Sequence, residues 1–279
     1  MISTPIRRYG AAILMLLICT FSGGVFAKTH TVTKHQKASV TKLQKASVKK
    51  ISYKKASSKQ EYSRNSVKSS SLPDLRKYPS GTPRKRAFLR TVMPYITSQN
   101  AAITADRNWL VSKQYEGRWS PTERARLKDI AARYKVSWNG NTRKVPWNSL
   151  LERVDIIPGS MVATMAAAES GWGTSKLARN NNNLFGMKCG RGCGAGAMNG
   201  YTRFDSVKES VQAYARNLNT HPAYSSFRKS RAQLRKADQE VTATAMIHKL
   251  KGYSTKGSSY NDYLFAMYQD NQRLIAAHM

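Results

Sequence analysis

The sequence predicts a mainly α-helical domain with one small irregular or β-hairpin lobe, preceded by a disordered basic segment. Apolar residues recur at helical spacing from about Arg84 onward, the stretch from Met187 to Phe204 breaks that pattern with glycines, and the residues before position 80 show neither. Composition agrees. Lys plus Arg number 47 against 15 Asp plus Glu, a net charge of +32, and the 41% of hydrophobic residues suffice for a packed core in part of the chain only. The 279 residues fit one domain, or two small ones, plus tails. No apolar run reaches the ~18 residues a transmembrane helix needs, and three Cys are too few for a disulfide scaffold.

The N-terminal 27 residues order Arg7 and Arg8, an apolar stretch from Ala11 to Phe21, and small residues at Val25 and Ala27 before Lys28. That order predicts a secretory signal peptide cleaved after Ala27, in preference to a buried N-terminal helix. Cys19 is preceded by Ile18, where lipid attachment wants a small residue, so no lipid is expected. Export to the periplasm or cell envelope removes the protein from nucleic acid and directs its charge toward anionic envelope polymers.

Residues 28–80 carry 14 Lys plus Arg against Glu61 and Asp74, and are otherwise mostly Ser, Thr, Gln, Ala and Val. Such a segment lacks the apolar surface to offset the entropy of ordering and is expected to be disordered. Gln36-Lys37-Ala38-Ser39-Val40 recurs eight residues later at Gln44-Lys45-Ala46-Ser47-Val48, a repeat too short for a solenoid. An electrostatic tether to the envelope and a plain solvated linker are both compatible with it. The globular domain is drawn at 81–279.

Within it, Phe88, Leu89, Val92, Met93, Ile96, Ile103, Trp109 and Leu110 mark a helix broken or kinked at Pro94. Ser120-Pro121-Thr122-Glu123 reads as a capping box with Pro at the first helical position, opening a helix through Tyr134. Further helices are expected over 146–154, from Pro158-Gly159 onward, from a second capping box at Ser206-Val207-Lys208-Glu209, and over 239–251 and 258–275. The residues from Met187 to Phe204 form the odd lobe.

In the helix opened by Pro158, Met161, Met165 and Glu169 fall at i, i+4 and i+8. A carboxylate on an apolar stripe loses water, which favours the protonated form a general acid requires. A buried structural Glu paired with an Arg is the alternative on periodicity alone. Ser170-Gly171-Trp172-Gly173 then ends the helix, and Asn180 to Asn183 lead into Leu184-Phe185-Gly186. Glycines let a polymer approach the backbone, aromatics offer faces to sugar rings, and asparagines bond hydroxyl and acetamido groups, so these residues suggest a cleft.

Ala167-Ala168-Glu169-Ser170-Gly171-Trp172-Gly173, Asn183-Leu184-Phe185-Gly186, Tyr201 to Ser206, Tyr214 and Asn217 to Tyr224 together resemble the glucosaminidase domain of glycoside hydrolase family 73, in its Bax-type branch. The resemblance spans about residues 84–275. It implies a lysozyme-like helical fold that cleaves peptidoglycan glycan strands after N-acetylglucosamine, without a cofactor, with Glu169 as the acid that protonates the glycosidic oxygen. The stretch Gly252-Tyr253-Ser254-Thr255 to Ser259-Tyr260-Asn261-Asp262-Tyr263-Leu264 is similar to the family's late tyrosine motif, with Tyr260 the better candidate for the cleft tyrosine and Tyr253 behind it. Ser170, Trp172, Asn183, Phe185, Gly186 and Tyr201 are the implied substrate-binding residues, Trp172 and Phe185 being either sugar platforms or core.

Many members carry a second acid on the hairpin lobe, yet residues 187–204 contain no Asp or Glu. Asp205, Glu209 or attack by the substrate's own acetamido group remain, with Tyr260 orienting the latter. Glu209 reads more simply as a helix cap, and Asp205 as a turn or salt-bridge residue. Cys189 and Cys193, the pair left after cleavage, are expected to close a disulfide across the Gly-rich loop, against free thiols or a redox pair. Two Cys with no neighbouring His do not make a zinc site, and no metal is expected. Three functional readings follow: an exported glucosaminidase held at the wall by its basic segment, a lytic transglycosylase, and an inactive envelope-binding module. A monomer is the default.

Overall fold

The computed structural model describes residues 71–190, 192–254 and 257–279. The predicted signal peptide and most of the basic segment lie outside the described residues. The segment's last ten residues do not. Leu72 and Leu75 are buried in the main core, and the Leu72 amide donates to Asn182 Oδ1 at 3.0 Å. The domain therefore starts at or before residue 71, not at 81. Room for these leucines comes from Gly173, where φ is +79° and a Cβ would lie 2.6 Å from Leu75 Cδ1. Two leucines among charges were too few to show in composition.

Helix α1 spans Thr82–Lys113 and runs unbroken through Pro94. Proline frees the carbonyl four residues earlier, at Arg90, and both residues face solvent, where water takes the place of the lost donor. Helix α2 (Pro121–Arg133) opens on the full capping box, with the Ser120 hydroxyl accepting from the Glu123 amide and Glu123 accepting from the Ser120 amide. A two-turn α3 (Trp147–Arg153) leads to α4 (Gly159–Ser170), in which every residue from Met161 to Ala167 is buried. Helix α4 lies between α1 and the long C-terminal helix, α9 (Ser258–Ala276), while α1 also packs on α6 (Val207–Thr220). A second apolar cluster, Ile103, Leu110, Leu127, Ile130 and Leu150, joins α1, α2 and α3.

Two helices escape the apolar pattern. The short α5 (Lys176–Asn181) is capped by Ser175, and α7 (Ser225–Lys236) buries Phe227, Arg228 and Arg231. An inward face built from arginines has no hydrophobic period to detect. Arg231 and Arg235 of α7, with Arg107 of α1, converge on Asp155, which is 1% exposed: Arg235 binds it through two bonds of 2.9 and 3.1 Å, Arg107 Nη1 lies 3.5 Å away and Arg231 Nε 3.8 Å. Burial lowers the Arg231 pKa to about 10, against the opposing pull of Asp155. The arginine also caps the carbonyls of Glu152, Asp155 and Ile156, fixing the turn that starts α4. The stretch expected as a helix over 239–251 holds only α8 (Ala243–Met246) and a 3-10 turn, Ile247–Lys249.

The lobe is irregular. Among the described residues it forms isolated bridges, Lys188 with Tyr201 and Met198 with Tyr201, and no strand. Cys189 and Cys193 are disulfide-bonded across it.

Candidate active site

Glu169 stands on the last turn of α4, which Gly171 closes in the left-handed conformation (φ 57°). Neighbours on α4 are buried, but Glu169 is only half-buried, because its side chain emerges at the floor of a cleft of about 600 Å³. Packing α9 against α4 brings the first turn of α9 over it, so the Tyr260 hydroxyl donates to Glu169 Oε1. The second oxygen, Oε2, faces Gly186, where an added Cβ would sit 3.6 Å from it. Gly186 has φ +60°, and its missing side chain leaves that oxygen open to the cleft.

Aromatic rings line the remaining walls. Tyr253 stacks on Tyr260 with centroids 5.5 Å apart, Tyr224 lies 6.2 Å from Tyr253, and Phe185 stacks flat on Tyr214 at 4.0 Å. Burial pushes the Tyr260 phenol well above its ordinary pKa, and its bond to Glu169 pushes the same way. Burial does the same to Tyr253 and Tyr214, with Glu169's charge adding to it. These hydroxyls stay protonated, and that of Tyr260 acts as a donor. Lys188, Asn217, His221 and Ser254 complete the polar part of the lining.

A family model named Glucosaminidase, with the description mannosyl-glycoprotein endo-beta-N-acetylglucosaminidase, matches residues 146–273. Across the whole of both chains the sequence is 80% identical to Protein bax of Escherichia coli (strain K12). The chain belongs to the Bax-type glucosaminidase-domain family. No solved structure matches it. The family is one of glycan-cleaving enzymes, and Glu169, Phe185, Gly186, Tyr253 and Tyr260 all fall within the matched residues. Helices α1 and α2 lie before them.

Of the residues expected in a glucosaminidase cleft, Glu169, Tyr260, Tyr253, Phe185 and Gly186 line it together. Four others do not. Ser170 is fully buried, its hydroxyl donating to the Ala166 carbonyl and accepting from the Gly173 amide at 2.8 Å. Trp172 is half-buried, packs edge-on to Phe88 with Lys85 Nζ 5.0 Å from its ring centre, and does not line this cleft. Asn183 is 1% exposed and donates to the carbonyls of Met187 and Thr202. Tyr201 lies in the lobe, paired through its backbone with Lys188 and Met198.

The asparagines therefore serve the lobe, not a sugar. Asn181 Nδ2 binds the Gly196 carbonyl and Asn182 Nδ2 that of Phe204. An irregular lobe has no ladder to satisfy its carbonyls, so side-chain amides take that work. Glu209 is a cap: the Ser206 hydroxyl accepts from its amide, while its carboxylate reaches back to the Asp205 amide at 2.9 Å, one residue beyond a reciprocal capping box. Neither Asp205 nor Glu209 lines the cleft. Residues without an assigned role in the sequence, namely Tyr214, Asn217, His221, Tyr224 and Lys188, do line it. Tyr214, Asn217 and His221 fall at i, i+3 and i+7 of α6, a spacing that was legible as one face. His221 also ends α6 and accepts from the Ala223 amide through Nδ1.

Proposed function

We propose that the protein is an exported peptidoglycan hydrolase, an endo-β-N-acetylglucosaminidase with Glu169 as general acid. The observation that carries this is a carboxyl group with one oxygen held by a tyrosine hydroxyl and the other open to an aromatic cleft. With Oε1 accepting from Tyr260, Oε2 is the oxygen left to deliver a proton to the substrate. Glu169 passes it to the glycosidic oxygen as the bond to the anomeric carbon breaks.

Among the described residues Glu169 is the single carboxyl group lining the cleft, which supports attack on the anomeric carbon by the substrate's own acetamido oxygen. The leaving sugar departs with Glu169's proton, and the resulting carboxylate then takes a proton from the water that opens the cyclic intermediate. With the Tyr260 proton committed to Oε1, the Tyr253 hydroxyl stacked beside it is the donor left to orient the acetamido group. The same solitary carboxylate supports a second reading, lytic transglycosylation, in which a sugar hydroxyl replaces water and an anhydro end results.

The predicted signal peptide supports action in the periplasm or envelope, and the basic segment supports retention by anionic polymers there. The working unit is proposed to be a monomer. Digestion of purified peptidoglycan by wild type and Glu169→Gln, with products identified by mass spectrometry, tests the reading. Reducing N-acetylglucosamine ends lost in the variant are expected. Anhydro-muramyl ends would transfer the assignment to lytic transglycosylation, and equal inertness of two proteins that both bind the glycan would leave a binding module.

A further inference from the structure

Lys188 presents a positive charge to the cleft from a backbone that is held on both sides. It lines the cavity two residues after Gly186, a backbone span of at most about 7 Å, so it borders the part of the cleft next to Glu169. On one side Asn183 accepts from the Met187 amide at 2.9 Å and donates to the Met187 carbonyl at 2.8 Å. On the other the Cys189 amide donates to the Gly200 carbonyl at 3.0 Å, and Cys189 is closed to Cys193. The side chain itself is exposed, with Nζ 6.0 Å from the Tyr201 ring centre.

Nothing in the lobe neutralises it. Residues 187–204 contain no acid, and no ion pair among the described residues uses Lys188. Arg203, another cation of the lobe, folds over Gly196, where an added Cβ would meet its Cδ at 2.6 Å. An ammonium without an ion-pair partner, on a lobe that has no acid and on a backbone held at both ends, offers a counter-charge to an anionic group of the ligand.

Resting on the glucosaminidase reading above, we propose that Lys188 reads a carboxylate borne by the muramyl sugar, and so sets a preference for peptidoglycan over neutral N-acetylglucosamine polymers. That carboxylate has two sources, the lactyl group of a peptide-free muramyl residue or the carboxylates of an attached stem peptide.

Binding in the Glu169→Gln background, which does not depend on turnover, tests this with three probes: chitooligosaccharides, peptide-stripped glycan strands and peptide-bearing strands. Lys188→Ala is expected to weaken a carboxylate-bearing probe about fivefold more than the chitooligosaccharide, the upper range for an exposed ion pair. Lys188→Glu should widen that gap, Lys188→Arg should close it, and ~1 M salt should abolish it. Loss on stripped strands identifies the lactyl carboxylate, and loss confined to peptide-bearing strands identifies the stem peptide. Equal loss on all three probes, or none, overturns the proposal. If the wild type still releases reducing ends in that case, the glucosaminidase reading stands without it.

Discussion

Under the proposed mechanism Tyr260 selects the working oxygen of Glu169, because a phenol that donates to Oε1 leaves Oε2 for the substrate. Glu169→Gln keeps the shape and removes the proton; turnover of peptidoglycan is expected to fall about 10²–10⁴-fold. Tyr260→Phe keeps the ring that stacks on Tyr253 and removes the donor. It should lower kcat by about 10–100-fold, the value of a bond to a charged group, with binding of glycan little changed. Gly186→Ala combines strain at φ +60°, worth about 1–2 kcal/mol, with a methyl group against Oε2, so activity should drop further than thermal stability does. The sequence made Glu169 and Tyr260 legible through helical spacing and a family motif. It misplaced Ser170, Trp172 and Asn183 because the residue types that contact sugars are also those that cap turns, fill cores and satisfy backbone carbonyls.

Among the elements, α7 shows where pattern reading stops. Its buried face is arginine, and its partner Asp155 sits in the turn before α4, so a polar hub joins α1, α7 and the start of the helix that ends in Glu169. Asp155→Asn leaves Arg231 buried without its counter-charge and is expected to cost about 3–5 kcal/mol, read as a shifted urea midpoint. Little change in that midpoint would mean that the carbonyls of Glu152, Asp155 and Ile156 hold the arginine on their own. The amphipathic helices were legible from apolar spacing, and α2 from its capping box. Pro94 misled because a proline on an exposed face has water to satisfy the carbonyl it frees, and the lobe's irregularity follows from glycines that specify no single pairing.

Taken whole, the molecule buries an unusual set of phenols. Burial raises the pKa of Tyr134 to about 12 and displaces those of Tyr214, Tyr224, Tyr253 and Tyr260 upward as well. Unfolded phenols ionise near pH 10. Below that pH both states hold their protons and the contribution is intact; as pH rises further the unfolded chain loses protons that the folded one keeps, and stability declines through the folded values. The melting temperature should therefore fall steeply above about pH 10, with fewer phenols titrating at 295 nm in the folded protein than in urea. A pH-independent melting temperature up to 12 would contradict it.

Leu72 and Leu75 also give the N-terminal chain a point of mechanical attachment. Whatever holds the residues upstream of Ser71 transmits its load through these two leucines to Gly173, four residues from Glu169 and on the turn that ends α4. On the proposal that the basic segment is held at the envelope, its pull would enter the domain beside the turn that follows Glu169, not across the helices.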